Sequence, residues 1–105
     1  MVTPVLDKQD LLERLQDVRE EIRARGVIKL GLFGSFARDA SSTKSDVDLL
    51  VQFDPPRKSF DNFMHLSFLL EDVLQRPVEL VTTEGMSPFL RPRILAELED
   101  VPLVE

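Results

Sequence analysis

The sequence predicts an α/β (α+β) domain with helices packed on a small mixed sheet, and three observations carry that prediction. Three short runs rich in strand formers, Val27–Phe33, Val47–Phe53 and Val78–Val81, are separated by helical periodicity or turn composition. Between the second and third lies a helical stretch long enough for the crossover that parallel strands need, which gives a right-handed βαβ unit. The segment between the first and second is too short for a crossover unless it holds a full helix. Those two strands are therefore expected to be antiparallel.

In chain order, Asp7 is a candidate N-cap, followed by Leu11, Leu12, Leu15, Val18 and Ile22 at helical spacing. That helix should stop near Gly26, a suitable C-terminal cap after Arg23 and Arg25. Val27–Phe33 follows as a central strand, Gly34-Ser35 punctuates it, and Ser35–Arg38 can open a short helix. Residues 39–45 form a polar, Ser-rich loop before Val47–Phe53, which Pro55-Pro56 ends. Phe60, Phe63, Met64, Phe68, Leu69, Val73 and Leu74 mark a helix of about four turns. After the third strand, a last helix is expected from Ser87 as cap and Pro88 at its first position, carrying Leu90, Ile94, Leu95 and Leu98. A short extra C-terminal strand can be accommodated. No repeat or linker divides the sequence, so residues 1–105 read as a single domain.

Composition narrows the chemistry. Hydrophobic residues at 43% and charged residues at 30% describe a soluble globule rather than a disordered or fibrous chain. Lys and Arg number 13 against 19 Asp and Glu, a net charge of −6, which argues against direct nucleic-acid binding through the phosphate backbone. With no Cys and one His, disulfide scaffolds, zinc sites and thiol nucleophiles are excluded, leaving oxygen ligands for any metal. No apolar run reaches membrane-spanning length and the first residues lack signal-peptide character, so no membrane partner and a cytoplasmic location are expected.

Asp46 and Asp48 are the sharpest feature. Carboxylates at i and i+2 on a strand share a face, with Cβ atoms roughly 7 Å apart, close enough to serve one metal pair. The apolar Leu49-Leu50-Val51 behind them sets them at the mouth of the core. The expected antiparallel pairing brings Gly34 and Ser35 beside them, and the parallel pairing adds Glu79. Such an oxygen cluster suits Mg²⁺, with Mn²⁺ the alternative, two ions bridging carboxylates to substrate phosphates. Gly34 permits close backbone approach, and Ser35 offers a hydroxyl and backbone N–H groups to phosphate. Each piece alone has a plain reading: a solvated acidic pair, a turn, an edge-strand charge. Their order and spacing together fit nucleotidyl transfer.

At these residues the sequence resembles the minimal nucleotidyltransferases of the DNA polymerase β superfamily, whose signature is G-S, ten residues, D-x-D. Here it stands as Gly34-Ser35-Phe36-Ala37-Arg38, then Asp46-Val47-Asp48, with Glu79 at the third acidic position. The resemblance implies an αβαβαβα palm that binds ATP or another nucleoside triphosphate with Mg²⁺. It implies Asp46, Asp48 and Glu79 as catalytic metal ligands and Gly34, Ser35 and Arg38 as nucleotide-binding residues. It also implies a HEPN-domain toxin as partner, blocked by transfer of AMP. For Arg38 an ion pair with Asp39 or Asp46 is the competing reading. Two departures stand out: Asp39 replaces the family's usual Gly, and Glu79 its usual third Asp. They motivate an alternative, a catalytically weak or inactive palm that neutralises a HEPN toxin by stoichiometric binding. Its interface would be the Phe-rich helix or Val101-Pro102-Leu103-Val104. A homo-oligomer stays open.

Other residues carry weaker claims. His65 is expected to face solvent rather than act as a base. Phe60, Phe63, Met64 and Phe68 read as core or partner surface before a base-stacking platform. Arg57 and Lys58 read equally as triphosphate contacts or a solvated loop, and Arg91 and Arg93 as a charged helix face.

Overall fold

The structure, a computed structural model, describes residues 3–103. Asp7 takes extended backbone and accepts the Asp10 amide at 2.8 Å, opening α1 (Lys8–Asp17) as expected. The single helix expected up to Gly26 instead breaks at Val18 (φ −114°, ψ 18°) and resumes as α2 (Arg19–Ala24). The break falls on a β-branched residue of low helix propensity. Both pieces still bury their stripe, Leu11 and Leu15 from α1 and Ile22 from α2.

Strands β1 (Val27–Phe33) and β2 (Val47–Phe53) pair antiparallel, with Leu32 opposite Leu49 and Phe33 opposite Asp48. Between them α3 (Gly34–Ala37) makes a single turn. Ser59 caps α4 (Phe60–Leu74) by accepting the Asn62 amide at 3.1 Å, and α4 is the crossover to β3 (Val78–Thr82), parallel to β2. The expected extra strand is present: β4 (Glu99–Asp100) lies antiparallel on β1 and completes the order β3-β2-β1-β4. The sheet is mixed because the β2–β3 and β3–β4 connections each hold a helix and return the chain in the same direction, whereas the β1–β2 segment holds only the single turn of α3.

Leu30, Leu32, Leu49 and Val51 of the sheet pack with Leu66, Leu70 and Leu74 of α4 and the leucines of α1 in one core. Val101 and Leu103 join it, at 2% and 7% exposure, and the Val101 amide donates to Leu30 at 2.9 Å. The reading of this segment as a partner surface is therefore corrected, since its apolar residues are needed inside; Val104 lies outside the described residues. Phe63 packs on Phe53 with ring centroids 6.5 Å apart, whereas Phe60 and Phe68 face solvent.

The last helix, α5, spans Arg91–Glu97 and not a segment opening at Ser87-Pro88. Ser87 closes a turn instead, its carbonyl accepting the Leu90 and Arg91 amides, and Pro92 takes the first-turn place where no N–H is required. Leu98, just after α5, seats against Gly31 of β1, where an added Cβ would fall 3.1 Å from the Leu98 Cγ. None of the helices among the described residues is long and apolar enough to cross a membrane.

Candidate active site

Sheet register places the acidic residues. Phe33 ends β1 opposite Asp48, and Asp48 in turn lies opposite Glu79 of β3, so one row across three strands runs from the Gly34 turn to Glu79. Gly34 has left-handed backbone (φ +76°), and a Cβ there would collide with the Asp48 carboxylate, its Cγ at 3.0 Å and its Cβ at 3.2 Å. Glycine is thus required twice, for its φ and for the carboxylate laid against it.

Asp48 is under electrostatic load. Burial first, then a hydrogen bond shared with Glu79 and the charges of Glu79 and Asp46, push its carboxyl up to about 6, partly offset by Arg38. Asp46 differs from its neighbour: it stands one residue before β2 and is exposed. Ladder pairing begins only at Val47, so Asp46 is not fixed on the strand face as expected. Among the described residues no three acidic or imidazole side chains are gathered at metal-ligating spacing. The donor set nevertheless fits a hard divalent cation: all oxygen, with surplus negative charge around Asp48 that a cation would offset.

The cation side of the site is built by α3 and α5. Glu97 accepts the Gly34 amide at 3.2 Å and the Arg38 guanidinium at 2.7 Å, with the Arg93 Nε 3.6 Å away. Arg38 therefore pairs with Glu97 and not with Asp39 or Asp46. Burial works against Glu97, but the Arg38 and Gly34 hydrogen bonds outweigh it and hold the carboxyl below its ordinary range. Asp39 follows with φ +54°, a left-handed position that explains a preference for Gly there and that Asp tolerates better than most residues.

Gly34, Ser35, Arg38, Asp48 and Glu79 line one cleft of about 470 Å³, whose apolar wall is Val81, Met86, Leu90 and Ile94. That volume lies in the range of small-molecule sites. Asp46 is not part of this lining, and neither are His65, Arg57 and Lys58. His65 is exposed on α4, Lys58 pairs with Glu84 at 2.8 Å, and Arg57 donates to the carbonyls of Arg23 and Ala24. Arg93 belongs to the lining.

Two residues went unread in the sequence. One is Glu97. The other is Arg76, which is buried, donating to Val5 at 2.6 Å and to Ser42 and Ser45 at 3.0 Å each, with its guanidinium 5.1 Å from the Phe36 ring centre. It ties down the loop that leads to Asp46 and the ring next to Ser35. The one available signal was a cation directly before the proline that opens β3.

A mixed sheet with a Gly-Ser turn against paired carboxylates defines a nucleotidyl-transferring palm, and comparison with known proteins agrees. The nucleotidyltransferase domain matches residues 15–101. A Methanocaldococcus jannaschii chain assigned by name to the protein adenylyltransferases is 38% identical over 76 residues, covering 72% of this chain and 81% of that one. Protein adenylyltransferase MntA of Thermococcus cleftensis is 33% identical over 92 residues, 83% and 92% of the two chains. A solved structure classed as a minimal nucleotidyltransferase superposes with TM-score 0.77 at 32% identity, over 92% of this chain and 96% of that one. The fold recurs at 18% identity and TM-score 0.62 in a Shewanella oneidensis complex of tri-AMPylated HEPN toxin with MNT antitoxin, over 90% and 71%. The chain belongs to the nucleotidyltransferase domain family, among its minimal members, and is a nucleotidyltransferase.

Proposed function

We propose that this chain transfers AMP from ATP to a hydroxyl of a partner protein, in the manner of an antitoxin that modifies a HEPN-domain toxin. The observation that carries the proposal is the Asp48–Glu79 pair, set side by side by the β2–β3 register with Asp48 laid against Gly34, in the cleft that also holds Ser35 and Arg38. The names of MntA and of the Shewanella complex supply the acceptor class. Asp48 and Glu79, joined by Asp46, would hold divalent metal, Mg²⁺ before Mn²⁺; when bound, it neutralises triphosphate charge beside the carboxylates. Gly34, Ser35 and Arg38 bind and orient phosphate oxygens. The acceptor oxygen bonds to the α-phosphorus while the bond to the β-phosphate oxygen breaks and pyrophosphate leaves. The hydroxyl proton passes to one of the three carboxylates.

The test is transfer of label from α-³²P-ATP with Mg²⁺ in an extract of the source organism, beside an Asp46→Asn/Asp48→Asn variant. A labelled protein band that vanishes with the variant is expected. Undiminished labelling by the variant would overturn the mechanism. A partner retained on pull-down without any label would support neutralisation by binding alone.

A further inference from the structure

We propose that Glu97 is a stand-in for a substrate phosphate: its carboxylate occupies the donors that the triphosphate must engage, and nucleotide binding displaces it. The inference rests on the reading of this cleft as a nucleoside triphosphate site. Both oxygens of Glu97 are committed to groups that recognise phosphate well, the Gly34 backbone N–H at 3.2 Å and the Arg38 guanidinium at 2.7 Å. Arg93, one helical turn earlier, sits 3.6 Å away and is itself largely exposed. These donors face the same cleft as Asp48 and Glu79, where a triphosphate would have to lie. An anion is thus already seated in the one part of an acidic site that favours negative charge.

The arrangement has two consequences. With no nucleotide bound, Glu97 keeps Arg38 aimed into the cleft and satisfies the Gly34 amide. With nucleotide bound, the two anions compete for the same donors, so the affinity for phosphate is lowered by the strength of the Glu97 contacts. The competition acts through phosphate alone, and a ligand without phosphate is unaffected. Glu97 is therefore a positioning residue that sets nucleotide affinity.

Calorimetric titration of the full chain with ATP and with adenosine, at fixed Mg²⁺, tests this in wild type, Glu97→Gln and Glu97→Ala. Two variants are used so that a fold-specific defect in one is recognised by its melting curve. The expected result is tighter ATP binding by about fivefold or more in both variants, with adenosine affinity unchanged. Equal or weaker ATP binding in the variants would overturn the inference while leaving the proposed function intact, because Glu97 would then only support Arg38. An equal gain for ATP and adenosine would also overturn it, showing a merely opened cleft. Absence of ATP binding in wild type and variants alike would overturn both this inference and the proposed function.

Discussion

Gly26 and Gly34 stand at opposite ends of β1, and both take left-handed backbone, φ +90° and φ +76°. Each lets a charged side chain lie against it: an added Cβ at Gly26 would fall 2.8 Å from the Arg57 Cβ, and one at Gly34 would meet the Asp48 carboxylate. The electrical outcomes are opposite. Arg57 reaches the carbonyls of Arg23 and Ala24 at the end of α2, where a cation satisfies free acceptors and the helix dipole. Asp48 is instead held against Glu79, with the charge of Asp46 nearby. One end of the sheet is built for stability, and the other holds repulsion that only a cation or a proton relieves.

The largest effect expected from disturbing this contrast is at Asp48. Asp48→Asn should lower nucleotide transfer on the order of 10²-fold or more, measured as labelled product, while raising the melting temperature at pH 8. A fall in both would mean that the acidic pair stabilises the apo fold, contrary to its geometry. Arg57→Ala should do the reverse. It should cost about 1–2 kcal/mol, or roughly 5–10 °C in melting temperature, and leave transfer unchanged wherever the variant is folded.

A smaller effect appears in pH. The folded-state value for Asp48, about 6, lies above its ordinary 3.8, so the folded chain binds the proton more tightly than the unfolded chain does. The contribution of Asp48 to stability is thus lost as pH rises from about 4 to about 6. The stability difference between Asp48→Asn and wild type should be near zero at pH 4 and reach roughly 1 kcal/mol above pH 6, after allowance for solvent screening. Denaturant unfolding across that range checks it. The smallest effect belongs to Asp39: Asp39→Gly relieves a left-handed non-glycine residue and should add about 0.5 kcal/mol in the same assay.

Sequence reading succeeded where local rules dominate. The bounds of β1 and β2, the Asp7 cap and the antiparallel-then-parallel pairing follow from apolar runs and connection lengths, and they bring Gly34, Asp48 and Glu79 into one row. It failed where two local signals compete or where a contact is remote. Pro88 and Pro92 both suit a first helical turn, and only packing selects the second. Val18 interrupts a stripe that periodicity alone would continue. Glu97 reaches Gly34 across 63 residues and Arg76 reaches Val5 across 71, separations for which no spacing rule exists.

Helix α5 carries Arg93 and Glu97 on a slender attachment. It has seven residues, too few for stability in isolation, and Ile94 is its buried side chain, with Leu98 on Gly31 as the anchor beyond it. Its amides should therefore exchange with solvent through local opening, at a free energy well below that of global unfolding, whereas the β1 and β2 amides should report the whole fold. Such opening would move one wall of the cleft while the sheet behind it stays folded.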